Sequence, residues 1–132
     1  MPPGHALPQG REGGAAVADF VMVGALVTLL FVGVFQLGLA LHIRNTLISC
    51  ASEGARLGAR ADADPELGAV RTRELITESL SGRFAKQVTV SLVDAAGVRA
   101  VAVRVVAPLP ILGPLGPAGG VDVVGRAFLE SQ

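Results

Sequence analysis

Hydrophobic and polar positions change period twice along this chain. Residues 20–41 carry no charge and are almost all apolar. As a helix rising about 1.5 Å per residue, this run spans roughly 33 Å, enough to cross a hydrocarbon core of about 30 Å. It passes without a turn signal into residues 41–50, and Leu47, Ile48, Ala51, Ala55 and Gly58 then recur at three- and four-residue steps. No proline interrupts residues 15–61. The pattern predicts a transmembrane helix that continues into an amphipathic half, a rod of about 45 residues and roughly 70 Å.

Asp62, Asp64 and Pro65 end this helix. Pro65 suits the first turn of a second, short helix with Asp64 as its N-cap, and Val70, Leu75, Ile76 and Leu80 give it an apolar stripe up to Ser81 and Gly82. From Val88 the period becomes two. Val88, Val90 and Leu92 alternate with Thr89 and Ser91, and Val101, Val103 and Val105 repeat the pattern across the turn residues Asp94, Ala95, Ala96 and Gly97. An antiparallel hairpin is expected, residues 88–93 against 98–106, with Val90 and Val103 facing a core shared with the second helix. Residues 107–120, with Pro108, Pro110, Pro114 and Pro117, read as an extended loop, and residues 121–128 as a third strand. The fold class is α+β: a long N-terminal helix, a short second helix and a small three-stranded antiparallel sheet.

Residues 1–14 hold Pro2, Pro3, Pro8 and scattered glycines with no periodicity, the signature of a disordered leader. The expected division is therefore a leader over 1–14, a transmembrane and amphipathic helix over 15–61, and a small α+β head over 62–132. With 132 residues the chain has room for one such domain.

Composition narrows the function by exclusion. The formal net charge is zero, so nothing favours nucleic acid, which selects a basic surface. Lys86 is the lone lysine among many arginines, and Tyr and Trp are absent, a bias that reads as a GC-rich genome. Cys50 is the only cysteine and has no partner for an intramolecular disulfide; it reads as a small buried residue, with an intermolecular disulfide or acylation as the alternative. His42 and Cys50 are about 12 Å apart by helical rise, too far to share a metal, and His5 lies on the far side of the apolar run. No serine or cysteine nucleophile has a histidine in reach by this reading. Residues 113–119 superficially resemble a phosphate loop, but their prolines remove the backbone donors such a cradle needs. The expectation is a protein that is not an enzyme and takes no cofactor or metal.

The topology of the run stays open on the residues alone. A cleaved secretory signal would have a shorter apolar core behind a positive segment, although Gly38, Leu39 and Ala40 offer a small-x-small site. A retained span fits the length better. Arg11 precedes it, against Arg44, Arg56 and Arg60 after it, and that count would put the C-terminal part in the cytoplasm.

Two segments flank the span with more specific spacing. In Gly14-Ala15-Ala16-Val17-Ala18-Asp19-Phe20, a glycine precedes an acid by five positions at the edge of the apolar run. A carboxylate there is costly if drawn into lipid, by about 2.5–3.5 kcal/mol at the bilayer centre. Cleavage after Gly14 would place the new amine of Ala15 one helical turn before Asp19, so that the amine of one subunit could meet the carboxylate of the next; alternatively, Asp19 marks the membrane boundary. In the second segment, residues 51–60, Ala51, Ala55 and Ala59 share a spacing of four, as do Gly54 and Gly58, giving flat faces for close helix approach, with Glu53 and Arg56 on the flank. A high Ala and Gly content produces such spacing by itself as well.

With these residues in place, the chain resembles the TadE-like family, minor-pilin-like proteins of tight-adherence (Tad) pilus systems. The anchors are residues 14–20 before the span and Glu53-Gly54-Ala55-Arg56 after it, followed by the valine-rich hairpin, Pro-rich loop and final strand. The resemblance implies a prepilin cleavage site at Gly14 and Ala15, and an assembly carboxylate at Asp19, where the family usually has glutamate. It also implies a cytoplasmic leader, a head outside the membrane, a prepilin peptidase and other Tad-type pilins and pseudopilins as partners, and a structural role in assembling a pilus. This orientation opposes the Lys and Arg count. The alternative is an unprocessed single-pass protein whose head scaffolds other envelope proteins.

Overall fold

The structure, a computed structural model, describes residues 2–4, 9–109 and 120–130. Its elements are α1 (Gln9–Gly58), α2 (Pro65–Ser79), a 3-10 turn (Gly82–Phe84), and the strands β1 (Gln87–Ala95), β2 (Val98–Ala107) and β3 (Val121–Phe128). This is an α+β chain with a long N-terminal apolar helix, a short helix and one antiparallel sheet in the order β1-β2-β3. The chain divides into two compact units, residues 1–37 and 38–132.

In the first unit, α1 begins at Gln9, inside the segment read as a disordered leader. Proline ends at Pro8, Glu12 in the first turn complements the helix dipole, and extending a long helix is cheap once it is nucleated. Residues 20–35 are all exposed, Phe20 by 79%. Thr28 keeps its hydroxyl satisfied by donating to the Gly24 carbonyl at 2.8 Å, the usual accommodation for a hydroxyl in an apolar helix. Phe31 and Phe35, one turn apart, stack with ring centroids 6.5 Å apart. Among the described residues, one helix is long and apolar enough to cross a membrane, and it is this one, near the N-terminus.

The second unit is a three-element core. Ile43, Leu47, Cys50, Ala51, Ala55 and Ala59 of α1 and the turn after it face Ala69 and Ile76 of α2 and Val101, Val103 and Val105 of β2. Ile48, expected on this buried face, is exposed instead, because the face is centred on the Leu47–Ala51–Ala55 row. The helix ends at Gly58, a few residues before the expected 61. Asp64 caps α2 by accepting from the Glu66 N–H at 3.0 Å, with Pro65 in the first turn. The buried face of α2 is Gly68, Ala69, Thr72 and Ile76, whereas Val70 is exposed, so the stripe of larger apolar residues only partly faces the core.

The hairpin pairs Val90 directly with Val103 and turns through Ala96 and Gly97 between the paired Ala95 and Val98. Both turn residues have positive φ, 54° at Ala96 and 82° at Gly97, and the Asp94 carboxylate accepts from the Gly97 N–H at 2.9 Å. Val103 is completely buried and Val90 partly so. Leu92, placed on the same face by its period, is exposed, lying on an edge strand near the hairpin tip. β3 pairs with β2 from Ala107–Val121 to Ala100–Phe128. Of the expected Pro-rich loop, residues 110–119 lie outside the described residues, as does His5 of the leader.

Candidate functional site

The residues singled out in the sequence fall on two stretches of α1. Gly14, Ala15 and Asp19 lie in the first unit, helical and exposed. A Cβ built at Gly14 meets no atom within 4 Å, so no packing within the described residues demands a glycine there, nor at Gly13, Gly24, Gly33 or Gly38. Ala15 and Asp19, four residues apart in one helix, share a face.

The second stretch is buried in the second unit. Gly54 and Gly58 pack against α2. A Cβ on Gly54 would stand 1.9 Å from the Thr72 hydroxyl oxygen and 2.5 Å from the Gly68 carbonyl oxygen, and one on Gly58 would stand 3.0 Å from the Pro65 carbonyl oxygen. The small residues therefore bring the two helix backbones together. Ala55 is fully buried beside them, while Glu53 and Arg56 stand exposed. The i,i+3 ion pair that the structure does form is on α2, Arg71 to Glu74 at 3.2 Å.

Two partners of this stretch escaped the sequence reading. Thr72, fully buried, donates its hydroxyl to the Gly68 carbonyl at 2.7 Å and lies 3.4 Å from the Cys50 carbonyl, tying α2 to α1 through a polar group. Gly125 of β3 lies against α1: its Cβ would stand 2.3 Å from the Ala51 carbonyl carbon and from the Ser52 nitrogen. A glycine inside a strand signals close backbone approach, and that signal was available in the sequence.

Cys50 is buried, and burial is the main influence raising its thiol pKa, opposed by a hydrogen bond from Ser79. A raised thiol is poorly nucleophilic, in keeping with packing. Among the described residues no group of His, Cys, Asp and Glu side chains is arranged to hold a metal. On the outer face of the sheet Arg104 grips Asp122 with two hydrogen bonds, Nε to Oδ1 at 2.8 Å and Nη2 to Oδ2. These bonds are the main reason the Asp122 carboxyl lies below its ordinary pKa.

Comparison with known proteins gives one match. No curated protein and no solved structure matches the chain. The sequence model of the family described as TadE-like protein matches residues 14–56, about a third of the chain, beginning at Gly14 and ending at Arg56. Those limits coincide with the two anchor segments on either side of the apolar run. Residues 14–56 are thus TadE-like, which points to a membrane protein associated with a Tad-type pilus.

Proposed function

We propose that the protein is a minor-pilin-like structural subunit of a Tad-type pilus, inserted through residues 20–41 and cut by a prepilin peptidase between Gly14 and Ala15. The observation that carries this reading is the extent of the family match, which opens at the residue before the proposed cut and runs through the span to the packing stretch at Gly54–Arg56. The helix at Gly13 and Gly14 supports it. Each glycine weakens a helix by about 1 kcal/mol relative to alanine, so the backbone there opens readily for a peptidase that needs an extended strand. No packing in the described residues calls for glycine at 14, so a peptidase could reach the peptide bond there without disturbing a contact.

After cleavage, the amine of Ala15 is a cation beside the acid of Asp19. In a bundle of such helices the amine of one subunit neutralises the carboxylate of its neighbour, which removes the cost of carrying a bare charge into an apolar environment. The leader then faces the cytoplasm and the head lies outside, either within the fibre or priming it. Other Tad-type pilins and pseudopilins are its partners, and its work is assembly, not catalysis.

Sequencing the N-terminus of the mature membrane protein tests this. Ala15 is expected. Met1 or Pro2 would overturn the pilin reading in favour of an unprocessed scaffold, and Leu41 in favour of a secreted head.

A further inference from the structure

The head is electrostatically polar from end to end. α2 runs back along α1, since Gly58 meets Pro65, Gly54 meets Gly68, and Ser79 lies with Asn45 and Thr46 around one cleft. β3 runs the other way, with Gly125 against Ala51 and the Glu130 N–H donating to the Ala59 carbonyl at 3.0 Å. Strands rise about 3.3 Å per residue and helices 1.5 Å, so Val121 lies about nine helical residues before Ala51, near the level of Ile43. The 3-10 turn, the start of β1, the end of β2 and the start of β3 therefore gather at the end of the head where α1 enters.

That end is basic. Arg44 stands on the first turn of α1 beyond the apolar run, and α2 returns Arg83 and Lys86, some forty positions later, to the same end of the head. All three side chains are exposed, and Glu78 is the carboxylate nearest them on α2. Arg104 and Asp122 neutralise each other. At the opposite end Arg56, Arg60 and Arg99 are outnumbered by Asp62, Asp64, Glu66, Asp94 and Glu130. Arg83 is also preorganised, its guanidinium carbon 4.8 Å from the centre of the buried Phe84 ring. Arg83 and Lys86 flank an open cleft of about 340 Å³ floored by Gln87, Val106, Pro108 and Gly120.

We propose that this end of the head is a docking surface for anionic phospholipid, with Arg83 and Lys86 engaging headgroup phosphates beside Arg44. Two features select lipid as the occupant. The charge has the complementary sign, and the basic end is the one continuous with the apolar run: Leu41 and Arg44 are separated by less than one helical turn. The acidic end carries the sign that the same surface repels. The proposal rests on residues 20–41 spanning a membrane but not on cleavage after Gly14.

The test uses the full chain in lipid nanodiscs and reads amide hydrogen exchange over residues 81–88. In discs containing phosphatidylglycerol, exchange there should be slower than in phosphatidylcholine discs by about 25-fold, since Arg83 and Lys86 near an anionic surface each favour docking about fivefold. Exchange over residues 62–66 should not differ. Arg83→Gln with Lys86→Gln should erase the difference, as should high salt, while exchange over Val101–Val105 stays native and shows the head still folded. Equal exchange in the two lipids, or protection that survives the double substitution, would overturn the proposal. So would protection in phosphatidylcholine discs on adding inorganic phosphate, which would assign the cleft to a free anion. Failure to enter either disc would overturn the span itself, whereas an uncut N-terminus would overturn the pilin reading and leave this result unchanged.

Discussion

Gly54 of α1 and Gly68 of α2 exclude each other's side chains. A Cβ on Gly54 would stand 2.5 Å from the Gly68 carbonyl oxygen, and one on Gly68 would stand 2.7 Å from the Gly54 carbonyl oxygen. Both obstacles are backbone, which cannot rotate away as a side chain can, so any added carbon forces the helices apart.

Gly54→Ala is therefore expected to destabilise the head by about 1–3 kcal/mol, outweighing alanine's better helix propensity. Gly82→Ala, at a site open to solvent, should be close to neutral. Denaturant titration in detergent, followed by exchange of β2 amides, measures both; the chain has no Trp or Tyr to report by fluorescence.

Gly125→Ala should cost more than Gly58→Ala. The new carbon at 125 meets α1 backbone at 2.3 Å, that at 58 meets the Pro65 oxygen at 3.0 Å. The same titration ranks the two, and equal stabilities would refute the close approach of β3 to Ala51.

Ala96 holds a left-handed φ of 54° that alanine adopts poorly. Ala96→Asn should stabilise the hairpin by about 0.5–1 kcal/mol, because Asn-Gly is the favoured pair for a two-residue turn of this kind. A raised denaturation midpoint with an unchanged slope checks it.

The Arg104–Asp122 pair should make part of the head's stability acid-sensitive. Arg104 lowers the Asp122 pKa in the folded state, so the native form binds that proton less readily than the unfolded chain does. The contribution is then complete above the unfolded carboxylate value of about 4 and fades as pH falls through the lower native value. A double-mutant cycle with Arg104→Gln and Asp122→Asn should show coupling at pH 7 that diminishes on acidification.

Gly14→Val should leave a membrane-bound precursor, about 14 residues heavier than the wild-type product, with the head intact because nothing packs against Gly14. Asp19→Ala should be cut but assemble poorly. Asp19→Glu should assemble at least as well as wild type, its longer reach matching the usual family residue. Immunoblots of membrane and pilus fractions separate these outcomes.

What the sequence disclosed, and what it hid, follows from the range of each interaction. The antiparallel hairpin of residues 88–93 against 98–106 was legible because alternation and the Asp94–Gly97 turn are local signals, and its register, Val90 opposite Val103, came with the fold. The start of α2 was legible from Asp64 and Pro65 for the same reason. Ile48 and Val70 were misplaced because apolar period alone does not say which of two neighbouring rows meets a partner; the close crossing at Gly54 and Gly68 selects small residues instead. The contact of Gly125 with Ala51 joins positions far apart in sequence, so only the folded chain reveals it. For the proposed site, Gly14 and Asp19 were visible as spacing, whereas Arg83 and Lys86 reach the same end of the head as Arg44 only once α2 has doubled back.

The bond from the Glu130 N–H to the Ala59 carbonyl and the seat of Gly125 on Ala51 also set a timetable. The core face of α1 precedes its covering strand in the chain and is made before it. Until residues 121–130 arrive, Leu47, Ala51 and Ala55 have no completed sheet to lie against. The cover over this face of α1 is therefore completed only once β3 has been made.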